Sequence, residues 1–249
     1  MKVKTLITAA GLGKRLGFLT RNMNKGLLKV SGRPLILDIL EKLNAEGLND
    51  IFIVTGYQAE HLRKHIDSEA KTLFNPFFRV SGILGSFWAA RSFLEGENFL
   101  FTTTDHFFHP SVLKGCLCHH SNHRCDVRIV IQKKRRYTRE DAKVIIRGSG
   151  VLKLGKDLPL QRSDGEFGGM AYFSRSASRL FFRLLQIQLE KEGLEGYVMD
   201  ILNRMKEQFH VPICFSTCGE GARIEIDSVY DLIEARKMAK KWGRNIDEI

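Results

Sequence analysis

The first thirty residues constrain the fold more than any other part of this 249-residue chain. A short apolar run at residues 3–8 has the length and β-branched content of a buried parallel strand. It leads directly into a loop at 9–17, where Gly11 and Gly13 permit backbone conformations that other residues resist. Loops of this kind can turn their N–H groups toward a bound anion.

Positive charge in and after the loop favours a chain of phosphates as the bound anion. Lys14 and Arg15 lie in the loop itself, and Lys25 follows within the segment 24–30. We therefore predict a nucleoside triphosphate site. Its predicted residues in this stretch are Ala9, Ala10, Gly11, Leu12, Gly13, Lys14, Arg15 and Lys25.

Two better-known glycine loops do not match this stretch. The dinucleotide fingerprint G-x-G-x-x-G would need its third glycine one residue before Gly17, and its interior is normally uncharged. The P-loop pattern G-x-x-x-x-G-K-[ST] is absent from the sequence. A glycine loop with no ligand is the remaining alternative on these residues alone.

The overall charge favours an anionic ligand or partner. The chain has 39 Lys+Arg against 28 Asp+Glu, a formal net charge of +11. The basic run at 133–139 is typical of a solvated face, and it lacks the interleaved aromatics of a nucleic-acid surface, so we expect no nucleic-acid partner. No apolar run of membrane-spanning length and no signal peptide are visible, which predicts a cytoplasmic protein.

The five cysteines are odd in number, and their spacing does not predict a disulfide framework. A structural zinc site usually joins two separated ligand pairs, whereas one group of cysteines and histidines crowds a single helix end. We interpret that group as a helix end with free thiols, and zinc binding stays open. The group comprises Cys116, Cys118, His119, His120, His123 and Cys125.

Strands and helices alternate along the first hundred residues. Helices are predicted at 33–46, 58–66 and 87–94, with a buried strand at 51–54. This alternation indicates an α/β fold with a doubly wound, mostly parallel, Rossmann-like sheet in one domain, residues 1–249. Ligands of such sheets bind beyond the carboxyl ends of the strands, where the glycine loop would lie.

Two aspartates follow predicted strands and are candidates for metal binding. Asp105 ends the strand that starts at Phe99, and Asp227 follows a strand near the carboxyl terminus. Mg²⁺ is commonly held by one or two carboxylates together with phosphate oxygens, so we predict that these two hold Mg²⁺. The alternatives are a turn residue for Asp105 and a helix N-cap for Asp227.

Residues 128–173 are predicted to form a small β-rich insert. Short strands are expected at 127–131, 142–147, 150–155 and 168–173, followed by two helices. Because the insert is basic, we expect it to cover an anionic second substrate.

Several motifs resemble those of the sugar-phosphate nucleotidyltransferase family. Residues 7–16, 24–27 and 32–35 resemble its L-x-A-G-x-G-x-R-L, P-K-x-L and G-x-P-L motifs, and 225–232 resemble D-I-D-[ST]-x-x-D-L, with Glu225 where the family often has Asp. Asn24-Lys25-Gly26 replaces Pro-Lys-Pro, which we expect to loosen the backbone but keep the lysine. The resemblance implies that Gly82 and Ser86 line a base pocket.

The central region resembles the CTP-using members, the inositol-1-phosphate and phosphocholine cytidylyltransferases. Residues 140–144 with 155–158 resemble E-A-T-K-V … G-K-x-L, and 164–169 resemble D-G-x-D-T-G. The resemblance implies transfer of CMP from CTP to a phosphorylated small molecule, and a functional link to a membrane lipid synthase. Arg15, Lys25 and Asp105 would be catalytic. The implied acceptor-binding residues are His106, Lys143, Lys156, Gly168 and Gly169.

The basic insert and the Asp105-His106 pair favour inositol 1-phosphate as the acceptor, because a choline group binds best to aromatic faces with nearby carboxylates. Phosphocholine and a hexose 1-phosphate are the alternative acceptors. An NAD(P)-dependent oxidoreductase and a basic nucleic-acid-binding protein are the rival classes. The sequence does not predict an oligomeric state.

Overall fold

The computed structural model describes residues 2–66, 69–117 and 125–243. The helices are α1 Leu35–Ala45, α2 Ala59–Ile66, α3 Ile83–Ala89, α4 Arg91–Leu94, α5 Pro110–Leu117, α6 Arg175–Glu192, α7 Val198–Phe209 and α8 Val229–Lys241. The strands are β1 Lys4–Ala9, β2 Lys29–Val30, β3 Arg33–Pro34, β4 Asp50–Thr55, β5 Lys71–Phe74, β6 Phe99–Thr103, β7 His106–Phe108, β8 Val127–Gln132, β9 Lys143–Arg147, β10 Gly150–Gly155, β11 Gly165–Phe173, β12 Ile213–Cys218 and β13 Arg223–Glu225.

A nine-stranded sheet forms the centre of the molecule. Its main path runs β10-β9-β11-β6-β1-β4-β5, and β8 pairs with both β11 and β12. The amino-terminal strands β1, β4, β5 and β6 are parallel, whereas β11 runs antiparallel to β6. Apolar clusters of helix and strand residues bury the sheet. The predicted α/β, Rossmann-like fold is confirmed.

The predicted β-rich insert does not form a lobe of its own. β11 is buried along its whole length and pairs with β6 at one end and with β9 at the other. A strand with apolar residues on both faces needs cover on both faces, so it is incorporated into the central sheet. Residues 128–173 therefore extend the main sheet, with a β-bulge between Phe167 and Ala171.

The helix predicted at 87–94 is two helices. α3 begins earlier, after Gly82, and Ala90 has φ −97° and ψ 0°, which separates α3 from α4. The earlier start places Ser86 inside α3, on the side that faces the glycine loop. Among the described residues, no helix has both the length and the apolar character needed to cross a membrane.

The carboxyl-terminal helix holds the two amino-terminal loops in place. Leu16 of the glycine loop and Leu28 of the Lys25 segment pack into one small core with Ile226 and Leu232. Because these four residues share a core, the glycine loop, Lys25 and the carboxyl-terminal motif are held at fixed relative positions.

One pair of cysteines is joined. Cys125, at the start of β8, forms a disulfide with Cys214 of β12, which the sequence did not predict. Cys116 is a buried free thiol whose pKa is raised to about 12 by burial. Residues 118–124, with the other members of the cysteine and histidine group, lie outside the described residues.

Candidate active site

A pocket of 360 Å³ opens at the carboxyl ends of β1 and β6, as expected for this sheet. It brings together the glycine loop, the Lys25 segment, the start of α3 and both predicted metal-binding aspartates. Of the predicted nucleotide-binding residues, Leu12 lies in the loop but outside the lining. Those that line the pocket are Ala9, Ala10, Gly11, Gly13, Lys14, Arg15, Lys25, Gly82 and Ser86.

Glycine conformation and one hydroxyl determine the shape of the loop. Gly13 and Gly17 have φ values of 63° and 56°, in the left-handed region that favours glycine. The Thr20 hydroxyl donates to the Gly13 carbonyl over 2.8 Å. Lys14 and Arg15 remain exposed at the mouth of the pocket, where an incoming phosphate chain can reach them.

The segment that carries Lys25 is restrained, contrary to the expectation that Asn24-Lys25-Gly26 would loosen it. The buried Asn24 amide donates to the carbonyls of Ala9, at 2.8 Å, and Tyr57, at 2.9 Å. Its oxygen accepts from the Gly26 N–H at 2.9 Å. These three hydrogen bonds tie the segment to the end of β1, and they replace the stiffness that prolines would give.

The opposite wall of the pocket is formed by the turn before α3. Asn75 donates to the Ser81 hydroxyl over 3.0 Å, which fixes the turn before α3. Gly56 lies so close to Phe78 that a Cβ would be 2.5 Å from the Phe78 Cβ, so only glycine fits there. Gly82 and Ser86 therefore line the part of the pocket that the resemblance assigned to the base.

Four charged side chains form one cluster between the glycine loop and the sheet. The Lys25 ammonium is 3.0 Å from Asp105 Oδ2 and 2.7 Å from Asp227 Oδ1, and Arg15 is 2.7 Å from Asp227 Oδ2. Burial opposes the charge of Lys25, but the two carboxylates outweigh it and raise its pKa. Lys25 is therefore a cation at neutral pH.

The two aspartates differ in their electrostatic surroundings. Burial is the largest influence on Asp105 and favours its neutral form, yet the Lys25 charge, the Thr103 hydrogen bond and other neighbours together outweigh it and hold the pKa of Asp105 below its usual range. For Asp227, burial and repulsion from Glu225 raise the pKa in spite of Lys25. Both carboxylates point at one ammonium group, so a cation is already accommodated between them.

The alternative use of Asp227 as a helix N-cap is excluded. Ser228 is the N-cap of α8, and its hydroxyl accepts from the Asp231 N–H. The Asp231 carboxylate in turn accepts from the N–H groups of Asp227 and Ser228, at 3.0 and 2.8 Å. This capping box fixes the backbone of Asp227 and leaves its carboxylate free to face the pocket.

The donor set near Asp105 fits a hard divalent cation. Ligand atoms of Asp105, His106 and Glu225 lie within 4.8 Å of one another. His106 Nε2 is bonded to Arg223, so the donors that remain are the carboxylates of Asp105, Glu225 and Asp227. Oxygen donors of this kind suit Mg²⁺. Glu225 was seen in the sequence only as a variant of the family motif, and its closeness to Asp105 depends on the pairing of β13 with β7.

His106, predicted to bind the acceptor, is held by hydrogen bonds within the site. It is buried, and both ring nitrogens are engaged, with Arg223 at 2.8 Å and the Thr103 hydroxyl at 2.9 Å. The ring lines the second pocket described below, and its two nitrogens are already bonded to protein groups. Its role is within the structure of the site.

A second pocket of 360 Å³ adjoins the first and shares Arg15, Asp105 and Asp227 with it. His106, Lys156 and Gly169, all predicted to bind the acceptor, line this pocket. We call it the acceptor pocket. Phe101, Phe167, Tyr197 and Met199 supply its apolar lining, and its carboxylates are Asp105, Glu140, Asp141, Glu166, Glu225 and Asp227.

Two predicted acceptor residues have structural roles instead. Lys143 is buried, and its ammonium donates to the carbonyls of Thr138, Arg139 and Asp141 at 3.1 to 3.3 Å. It therefore holds the turn before β9. Gly168 packs against Val130, and its carbonyl accepts from Arg223 over 2.9 Å. Neither residue lines the acceptor pocket.

Comparison with known proteins agrees with this arrangement. Residues 5–210 match the family described as MobA-like NTP transferase domain. The chain belongs to the MobA-like NTP transferase family. The match includes the glycine loop, Lys25, Asp105 and the acceptor pocket as far as Met199, and it confirms the family-level resemblance of the motifs.

Two curated relatives share segments with this NTP transferase. Choline-phosphate cytidylyltransferase of Streptococcus pneumoniae is 47% identical over 58 residues, 23% of this chain and 25% of the relative. CMP-5'-(3-aminopropyl)phosphonate synthase of Streptomyces rubellomurinus is 32% identical over 117 residues, 45% of this chain and 18% of the relative. The chain thus matches a quarter or less of the length of either relative.

A solved structure shows the same fold over nearly the whole length. The inositol-1-phosphate CTP transferase from T. maritima superimposes with a TM-score of 0.76 and 18% identity, covering 96% of this chain and 98% of that one. Identity this low supports the fold alone.

Proposed function

We propose that this NTP transferase is a cytidylyltransferase. A phosphate oxygen of a small acceptor attacks the α-phosphorus of CTP, and pyrophosphate leaves from the opposite side. The observation that carries this proposal is the shared wall of the two pockets, where Arg15, Asp105 and Asp227 face both the nucleotide side and the acceptor side. Two anionic substrates can meet there only if their charges are neutralised and aligned.

Each charged residue has a distinct task in this reaction. Lys25 contacts both aspartates of the shared wall, and its ammonium stabilises charge on the transferred phosphate. Arg15 and the N–H groups of the glycine loop hold the departing β- and γ-phosphates. Asp105 and Asp227 would hold Mg²⁺, with Glu225 beside them. When bound, this ion supplies a Lewis acid that neutralises the phosphate oxygens.

The acceptor pocket favours an acceptor with a cationic head group. The Lys156 ammonium lies 5.1 Å from the centre of the Tyr197 ring, so this aromatic face already accepts the chain's own cation. Carboxylates outnumber cations in the lining, as a quaternary or primary ammonium requires. We propose a phosphorylated or phosphonylated amine as the acceptor, with phosphocholine as the reference compound.

The case for inositol 1-phosphate, the acceptor favoured from sequence, is weaker in the acceptor pocket than in the sequence. Of the basic residues between 133 and 156, only Lys156 lines the acceptor pocket, so the basic composition of this region does not describe the site. His106, expected to bond to the polyol ring, is buried with both nitrogens engaged. Inositol 1-phosphate therefore serves as the competing acceptor in the test.

The product would be a CDP-linked head group. A membrane lipid synthase could use such a product, so the proposal includes a functional link to an enzyme of that kind. Because CTP is an intracellular substrate, we also propose that the enzyme works in the cytoplasm. The names of the two curated relatives support both CTP and an amine-bearing acceptor.

The test is pyrophosphate release from CTP and from UTP, each with phosphocholine, 2-aminoethylphosphonate, inositol 1-phosphate or glucose 1-phosphate. We expect release with CTP and Mg²⁺ to be fastest with one of the two amines. Faster release with inositol 1-phosphate would overturn the acceptor assignment and keep the reaction. Absence of release from either nucleotide with every acceptor would count against the reaction itself.

A further inference from the structure

Arg223 is a buried arginine that reaches Asp105 through other residues and lies 3.9 Å from the Glu225 carboxylate. It lies on β13, and its guanidinium donates to Gln132 Oε1, to the Gly168 carbonyl at 2.9 Å and to His106 Nε2 at 2.8 Å. Its side chain is 2% exposed, and Glu166 lies 3.6 Å away. A guanidinium buried this deeply is held in one orientation by its partners.

The polarity of the next hydrogen bonds follows from the chemistry of arginine. A guanidinium only donates, so His106 Nε2 must accept and the proton of the neutral ring lies on Nδ1. That N–H therefore donates to the Thr103 hydroxyl at 2.9 Å. The Thr103 hydroxyl in turn donates to Asp105 Oδ1 at 2.6 Å.

This chain of hydrogen bonds ends on the Asp105 oxygen that Lys25 does not contact. Thr103 bonds to Oδ1 of Asp105, whereas Lys25 bonds to Oδ2. The Arg223-His106-Thr103 chain thus sets the rotation of the Asp105 carboxylate and leaves one oxygen to face the pocket. The ring lies directly against Gly169, and only glycine leaves room for it there, because a Cβ would be 1.9 Å from His106 Cε1.

We propose that Arg223 is a positioning residue for the divalent cation at Asp105, acting through His106 and Thr103. The inference rests on the proposed function, since it concerns the cation used in nucleotidyl transfer. Outer partners that orient a metal ligand commonly contribute tenfold to a hundredfold to metal affinity. The metal-dependent part of CTP binding therefore requires Arg223, whereas CTP binding without metal does not.

The experiment measures CTP affinity by calorimetry with and without Mn²⁺, in the absence of any acceptor. The ratio of the two dissociation constants reports the cation site without catalysis. In Arg223→Met we expect this ratio to fall by about tenfold, with the metal-free constant unchanged. Thr103→Val should cause the same loss, and Thr103→Ser, which keeps the hydroxyl, should retain the wild-type ratio.

A double variant distinguishes one continuous hydrogen-bond chain from two independent contributions to the affinity ratio. Arg223→Met with Thr103→Val should lose no more than the larger single loss, because both changes break one chain. Arg128→Met is the matched control, since Arg128 is another buried arginine of the sheet whose guanidinium donates to the Phe215 carbonyl of β12. It should leave the ratio unchanged.

The outcomes separate this inference from the proposed function. A wild-type ratio in Arg223→Met, or additive losses in the double variant, would overturn the positioning role and leave the transferase reaction standing. No effect of Mn²⁺ on CTP binding in the wild type would overturn both the cation site and its positioning. If Arg223→Met does not fold, the Thr103 pair still decides the matter.

Discussion

Two groups of charged residues, one lining the candidate active site and one buried behind it, hold their charges in different ways. The first, which we call the transfer cluster, contains Arg15, Lys25, Asp105 and Asp227. Its cations contact carboxylates, and all of its members line the nucleotide pocket. The second, the framework cluster, contains Lys143, Glu166 and Arg223. These three residues are buried within the sheet and its turns.

The difference lies in what satisfies each charge. Lys143 and Arg223 donate to carbonyl groups and to fixed side chains, so their partners cannot move without unfolding the turn or the sheet edge. The partners of Lys25 are themselves candidate ligands for an incoming cation and can exchange one positive charge for another. Charge type alone therefore does not separate a catalytic lysine from a structural one.

The largest effect is expected from removing a carboxylate of the transfer cluster. Asp105→Asn and Asp227→Asn should each lower kcat by about a thousandfold, equivalent to roughly 4 kcal/mol, because each amide removes a ligand charge but keeps the size. Pyrophosphate release as a function of Mg²⁺ concentration checks this prediction. Asp50→Asn, at the start of β4 and outside the lining of both pockets, is the control and should keep the wild-type metal dependence.

If Asp105→Asn or Asp227→Asn retained both rate and metal dependence, that residue would have only a structural role. That residue would then belong to the framework cluster and not to the transfer cluster.

Two lysine variants compare the clusters directly. Lys25→Ala should lower kcat by about a hundredfold with little change in Tm, because its charge acts on the transferred phosphate. Lys143→Met should instead remove three hydrogen bonds to the turn before β9, and lower the free energy of unfolding by about 3 kcal/mol. That loss corresponds to a decrease in Tm of roughly 6 to 12 °C.

Thermal melting and kcat per folded molecule together check the lysine pair. The comparison fails if Lys25→Ala keeps its turnover, or if Lys143→Met loses turnover while its Tm is unchanged.

The smallest effect concerns the aromatic face of the acceptor pocket. Tyr197→Leu should raise KM for phosphocholine by about tenfold, since a cation on an aromatic face gains up to about 2 kcal/mol when it is desolvated. Tyr197→Phe keeps the face and should behave as wild type. The same measurements with inositol 1-phosphate should show no difference between the two variants; an equal increase with both acceptors would mean that Tyr197 only shapes the pocket.

The nucleotide side of the site could be predicted from sequence because it depends on local rules. A strand that leads into a glycine loop, and an aspartate directly after another strand, must both lie at the carboxyl edge of a parallel sheet. Gly13, Lys25 and Asp105 meet there as predicted.

The acceptor side could not be predicted in the same way because it depends on long-range pairing. Lys143 and Lys156 lie in one basic region, yet the turn before β9 buries the first while the second reaches Tyr197. Glu225 approaches Asp105 only because β13 pairs with β7, which no local pattern reveals. The hydrogen bonds of Asn24 were missed because the family motif has a proline at that position, which suggested stiffness by a different means.

The contact between Gly169 and His106 limits how an enzyme of this kind can change its substrate. No side chain can be added at position 169 without displacing the ring that orients Asp105 through Thr103. The deep wall of the acceptor pocket is therefore closed to variation, whereas Glu140, Lys156 and Tyr197 at its rim are free to vary. New acceptor preferences would have to arise by exchange of rim residues over an unchanged interior, and libraries for altered specificity should be confined to those positions.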